Sequence, residues 1–200
     1  MTGRIIPKAI FIAVAAICLC PAVIGRAQGG AYEGTYFARC NISVLKGNEI
    51  TWMNFRAAKA RIVVNTPIKV RLSADRAIFI DEAVNETYLV DLGSPGEKFL
   101  DKLVIKEPVD VSDAKSRYSQ EIGSSIISKG MTKEEVYAAM CAPAFIDDDI
   151  SEGYGYDDIL KADRWVYKTS KFGGNIKIEF DKDGLVGSIS GPVSPEDAPK

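Results

Sequence analysis

The chain has 200 residues, enough for one large or two small domains, and its hydrophobic content of 46% is that of an ordinary globular protein. It has no histidine, so the commonest general base and the commonest zinc ligand are both missing. Formal net charge is −2; without residues 1–27, whose only charges are Arg4, Lys8 and Arg26, 22 cations face 27 acids, a net of −5 that argues against nucleic acid as a partner and gives no bulk-charge support for binding an anionic membrane.

The N-terminus reads as an export signal. Arg4 and Lys8 form a positive n-region, residues 9–24 are apolar, and Gly25-Arg26-Ala27 places small residues at the −3 and −1 positions of a cut before Gln28. Cleavage after Ala31 and an uncleaved anchor are the competing readings, but the run is short for a span that needs ~20 apolar residues, and Pro21 interrupts it. The expectation is a signal peptide over 1–27 and a mature protein in the periplasm or cell envelope. Cys18 follows Ile17 and Cys20 follows Leu19, so neither is a good lipidation site, and membrane association stays open. The mature chain keeps Cys40 and Cys141. In an oxidising compartment these are either a disulfide joining the two halves or two buried thiols.

A β-rich module is expected over 28–108. From Thr35, Tyr36, Ala38, Cys40, Ile42 and Val44 face one way and Phe37, Arg39, Asn41 and Ser43 the other, which predicts one period-2 strand. Further strands are predicted at 50–55, 61–64, 68–72, 77–80 and 87–92, with Asn65-Thr66-Pro67 as a turn or bulge. Five or six short strands at this spacing imply a small antiparallel barrel or sandwich. Ser94-Pro95-Gly96-Glu97 reads as a helix start, Phe99, Leu100, Leu103 and Val104 as its apolar stripe and Pro108 as its end. The domain boundary is placed near Pro108. A second helix is predicted from Ser112 to about Glu121, on Ala114, Tyr118 and Ile122.

The strongest local signal is Gly130–Pro143. Thr132 and Glu135 have the spacing of a capping box, Met131 and Val136 that of a hydrophobic staple, and Pro143 stops the helix. Three strands follow, at roughly 163–169, 175–180 and 185–190, the last two joined by the Asp183-Gly184 turn. Two helices over three strands make residues 109–191 an α+β module. Residues 192–200 carry three of the tail's prolines and read as a disordered end.

Gly130, Met131, Thr132, Val136, Pro143, Trp165, Tyr167, Phe180, Asp183 and Gly184, in this order, resemble the SmpA/OmlA family, the outer-membrane assembly lipoproteins also called BamE. The resemblance covers about residues 115–190. Cys141 stands where that family usually has glycine, and the lipidation cysteine is missing. The resemblance implies an exported non-enzymatic protein that binds an envelope protein partner in, or near, outer-membrane protein assembly. The α+β unit is also similar to that of β-lactamase inhibitor proteins, which implies instead a soluble periplasmic inhibitor or ligand-binding protein.

Few residues invite chemistry. Asp147, Asp149, Ser151 and Asp158 take the first, third, fifth and twelfth places of a calcium loop, but Glu152 occupies the sixth, where the turn needs glycine, so a solvated mobile loop is the preferred reading. Asp181 and Asp183 are explained by their hairpin. Serines and threonines have no histidine to activate them, and Cys141 lies at a helix end where the dipole disfavours a thiolate. No catalytic group, metal or cofactor is expected. Trp165 and Tyr167 share one side of a strand, either as core or, with Tyr154 and Tyr156, as an aromatic patch for a partner protein.

Overall fold

The structure, a computed structural model, describes residues 32–192 except 59, 74, 113 and 114. The expected signal peptide, Cys18, Cys20 and nearly all of the expected tail lie outside the described residues. The fold is α+β, with strands dominant. Among the described residues, eight strands precede the first α-helix: β1 (Gly34–Ala38), β2 (Ile42–Val44), β3 (Glu49–Ile50), β4 (Ala60–Ile62), β5 (Pro67–Ser73), β6 (Arg76–Asp81), β7 (Glu86–Asp91) and β8 (Val104–Ile105). They form a six-stranded sheet ordered β3-β7-β6-β5-β1-β8 and a separate β2-β4 ribbon. The sheet is open, ending in two-residue edges, where the sequence predicted a barrel or sandwich. Its β3–β7 pair is parallel and its other pairs are antiparallel.

The predicted strand from Thr35 to Val44 breaks after Ala38. Thr66 accepts from the Ala38 N–H and Leu103 from the Arg39 N–H, so the chain leaves one ladder before β2 joins another. Asn41, on the side of the pattern opposite Cys40, is also buried, at 1% exposed. The predicted strand over 50–55 keeps only Ile50. Asn54 turns inward there and accepts from the Ser43 N–H. Pro67 does open β5, where a missing N–H does least harm.

The predicted helix at 94–108 is a seven-residue 3₁₀ helix, Gly96–Lys102, without a side-chain cap from Ser94. Val104, expected on its stripe, is instead in β8 against Ala38. Phe99 and Leu100 still enter the core as the pattern required. Of the predicted helix over 112–121, Asp113 and Ala114 lie outside the described residues, 115–118 form turns, and a helix, α1, covers Ser119–Gly123. Side chains capture the backbone ahead of it: Ser112 Oγ donates to Asp110, and Ser116 Oγ accepts from the Tyr118 N–H.

Helix α2 (Lys133–Met140) follows the sequence closely. Thr132 Oγ1 accepts from the Glu135 N–H at 3.2 Å, and the Glu135 carboxylate accepts from the Thr132 N–H at 2.8 Å. Met131 and Val136 are both buried, as a staple requires. Gly130 has φ +82°, and a β-carbon there would meet the Tyr118 hydroxyl at 2.8 Å and Arg117 at 2.9 Å, so both backbone and space demand glycine. The Gly130 N–H donates to Val186 and the Val186 N–H to Met131, which fastens the start of α2 to the edge of the second sheet.

That sheet has five strands, not three. β9 (Phe145–Ile146) and β10 (Asp149–Ile150) form a hairpin beside β11 (Arg164–Lys168), followed by β12 (Asn175–Phe180) and β13 (Val186–Ser190), in the order β10-β9-β11-β12-β13, all antiparallel. The segment expected as a mobile loop is thus a tight hairpin turning on Asp147 and Asp148, both at positive φ, then a 3₁₀ turn and α3 (Tyr156–Lys161). Aspartate tolerates such φ values better than most residues.

Although the boundary was expected near Pro108, one apolar cluster runs through both modules. The Asn41 N–H donates to Ala138 of α2, and the Arg56 and Ala57 N–H groups donate to Lys168 and Thr169 at the end of β11. Cys40 and Cys141 are joined by a disulfide, with Cα atoms 4.9 Å apart and a separation of 101 positions in sequence.

Candidate functional site

The aromatic residues sort into core and surface. Trp165 and Tyr167 are 0% exposed, so neither belongs to a docking patch. Their side of β11 faces the helices, and each polar tip is satisfied inside: Trp165 Nε1 donates to Ile159 at 3.1 Å and the Tyr167 hydroxyl to Cys141 at 2.9 Å. Phe180 packs edge-on to Trp165, with centroids 4.8 Å apart. Tyr156 is half-buried, edge-on to Tyr137 at 4.8 Å with the Arg39 guanidinium 4.0 Å above its ring. Burial, the largest influence, raises its phenol above the ordinary range. Of the expected patch, Tyr154 alone lies at the surface, 38% exposed, its hydroxyl donating to Asp149 at 3.2 Å. That hydrogen bond raises its pKa.

The carboxylates of the acidic segment are separately engaged. Asp147 accepts from the Arg164 N–H, Asp148 pairs with the Arg164 guanidinium, and Asp158 pairs with Lys161 at 2.9 Å. Ser151 is buried and donates to Pro143 rather than facing the carboxylates. An open recess of about 190 Å³ lies between Ile146, Asp149, Tyr154 and Lys161.

Beneath it lies a buried cation. Lys102, 1% exposed, reaches out of the 3₁₀ helix and donates to the carbonyls of Ser151 and Glu152, each at 2.7 Å. Burial lowers its pKa to about 8, against an opposing pull from Glu152. The Lys102 carbonyl in turn accepts from the Tyr137 hydroxyl at 3.0 Å and lies 3.7 and 3.8 Å from the sulfurs of Cys40 and Cys141. This residue clasps the first module to the acidic segment. Only its position on the 3₁₀ helix beside Phe99 and Leu100 could have signalled it.

The outer face of the five-stranded sheet carries a feature that alternation alone did not reveal. Ile150 pairs with Phe145, Phe145 with Val166, Val166 with Lys177, and Lys177 with Ser190, so one row crosses all five strands. Its first three members are apolar on a side that normally turns polar groups to water. Ile150 is 57% exposed, and Phe145 and Val166 are half-buried. Lys168 Nζ lies 5.8 Å from the Phe145 ring centroid. Phe145, Asp148, Val166, Asn175 and Lys177 border an open depression of about 290 Å³. Val166 could have been picked out, as the apolar outward residue between Trp165 and Tyr167. Phe145 and Ile150 could not without the hairpin that aligns them.

No family model, curated protein or solved structure matches the chain.

Proposed function

We propose that this chain is an exported, non-enzymatic envelope protein that binds another protein through the outer face of its five-stranded sheet, in or near outer-membrane protein assembly. The observation that carries the binding role is the Ile150-Phe145-Val166 row, apolar and open to solvent on a sheet whose other side is already packed. Basic groups at Lys168 and Lys177 rim the row and favour a partner surface with an apolar centre and acidic edge. The assembly context rests on the SmpA/OmlA resemblance. Cys141 supports that resemblance in one respect: its φ of +61° is the backbone for which glycine, the family's usual residue there, is suited.

A photo-crosslinking residue placed at Val166 in cells is expected to capture a specific envelope protein, while the same residue at exposed Val84 is not. Val166→Asp should abolish capture by a second crosslinker at Ile150 without altering the far-ultraviolet circular dichroism. Equal labelling from Val84, or capture that survives Val166→Asp, would reject this face as the binding surface. A soluble one-to-one complex with a secreted enzyme would favour the inhibitor reading instead.

A further inference from the structure

Beside the end of β11, two arginines, Arg56 and Arg61, stand together, with no carboxylate paired to either among the described residues. Arg61 is the central residue of β4, opposite Ser43 of β2, and its guanidinium donates to the backbone carbonyl of Arg56. Arg56 lies in the loop whose N–H groups bond the end of β11. Both side chains are half-buried. Burial lowers the pKa of each, and Arg61 lowers that of Arg56 further. Arg56 Nη2 is enclosed and meets no acceptor.

Two such groups cannot be explained as a structural ion pair, because the ion of opposite sign is missing. Bringing two cations out of water and close together opposes folding unless something anionic joins them. The local sequence sharpens the point. Residues 50–74 hold five Lys or Arg and no Asp or Glu; residues 164–178 hold four and likewise no acid. The Arg56 and Ala57 N–H bonds to Lys168 and Thr169 bring these two stretches together, in a chain that is acidic overall.

We propose that Arg56 and Arg61 form a binding site for a phosphate-class oxyanion, either free or carried as a monoester on a larger molecule. Guanidinium forks match tetrahedral oxyanions through paired N–H donors, and two of them balance a dianion. The anion would accept from N–H groups of both side chains, the unpartnered Arg56 Nη2 among them, while Arg61 keeps its bond to the Arg56 carbonyl. A planar carboxylate would satisfy one fork and leave half the charge uncompensated.

The test is a titration of the purified full chain, ¹⁵N-labelled at arginine, with inorganic phosphate against sodium chloride of matched ionic strength. Saturable shifts of the Arg56 and Arg61 Nε signals are expected with phosphate and not with chloride. Glycerol 3-phosphate in a second arm separates the sources: tighter binding than phosphate points to an esterified ligand, and equal or weaker binding to the free ion. Arg56→Gln should abolish the Arg61 response and the rise in melting temperature that phosphate gives the wild type, yet melt no lower than wild type in phosphate-free buffer, because it removes a repulsion. Arg56→Lys, which keeps the charge and loses the fork, should weaken binding about tenfold. No saturable shift at 20 mM phosphate, or an Arg61 response unchanged in Arg56→Gln, would overturn the proposal. So would a lower melting temperature of both variants in phosphate-free buffer, which is what a purely structural pair requires.

Discussion

The two ends of helix α2 meet the same demand by opposite means. Every α-helix leaves backbone N–H groups unpaired at its start and carbonyls unpaired at its finish. At the start, Thr132 and Glu135 satisfy the donors from within four residues of sequence. At the finish, the partners come from far away. Asn41 Nδ2 lies 3.1 Å from the Ala139 carbonyl, 2.6 Å from that of Ile122 and 3.0 Å from Ser125 Oγ, while its Oδ1 accepts from the Val64 N–H at 2.9 Å. Asn54 Nδ2 donates to Met140 at 2.5 Å, and Cys141 is bonded to Cys40. The first end is a local device that would help the helix anywhere. The second exists only when both modules are folded against each other, and it is therefore one of the places where they are coupled.

Breaking the distant end should cost far more than breaking the local one. The largest effect is expected from replacing Cys40 and Cys141 together by alanine. Opening a closure of about a hundred residues costs roughly 4–5 kcal/mol on the chain-entropy account, read as a fall in the urea midpoint together with a steeper slope, because the denatured chain is no longer held compact. An unchanged midpoint would show that the bridge adds nothing beyond the packing around it. Asn41→Ala comes next, at about 3 kcal/mol, because it strands the half-buried Val64 N–H and the two buried carbonyls of Ile122 and Ala139. If that variant loses less than Thr132→Ala, the ranking of the two ends is reversed.

The buried lysine beside the disulfide sharpens the comparison through pH. Its folded pKa, about 8, lies below the ordinary 10.5, so between those values the unfolded chain holds the extra proton. Stability should therefore rise with pH from about 8, by about 2 kcal/mol once solvent screening at the half-buried Glu152 carbonyl is allowed for. Tyr137 and Tyr167 act in the opposite sense. Burial raises both phenols well above 10, so their contribution is complete below pH 10 and is lost as pH climbs past it. Urea midpoints from pH 7 to 11 should pass through a maximum near pH 10, and Lys102→Met should flatten the rising limb while leaving the fall. The smallest effect is expected at the local end: Thr132→Ala should lower stability by about 1 kcal/mol, the usual value of an N-cap. A loss above 3 kcal/mol there would mean that the cap also holds the sheet edge through its bridge to Leu185.

Legibility followed the same division. The capping box, the staple, the Trp165 strand paired with the run from Ile176 to Phe180 and the burial of alternate strand residues could all be read directly. The five-stranded sheet could not, because β9 and β10 are two residues each and carry no periodicity to detect. The helix predicted from Ser112 failed for a related reason: Asp110, Ser112 and Ser116 offer the backbone competing local hydrogen bonds that an apolar spacing does not register. Of the four aromatic residues named for a patch, two proved to be core, since a strand pattern tells which side chains share a face but not which face is wet.

What the sequence determined by itself is short-range: where α2 starts, which side chains alternate along each strand, and that Asp183-Gly184 turns the last hairpin. These depend on groups a few residues apart, whose geometry the chain fixes before any tertiary contact forms. The tertiary structure alone decided that Asn41 is buried, that Cys40 meets Cys141, that Phe145, Ile150 and Val166 align, and that Arg56 and Arg61 stand together without an acid. Each of these joins residues through the packing of separate segments, and contacts of that kind leave no period in the sequence to be read.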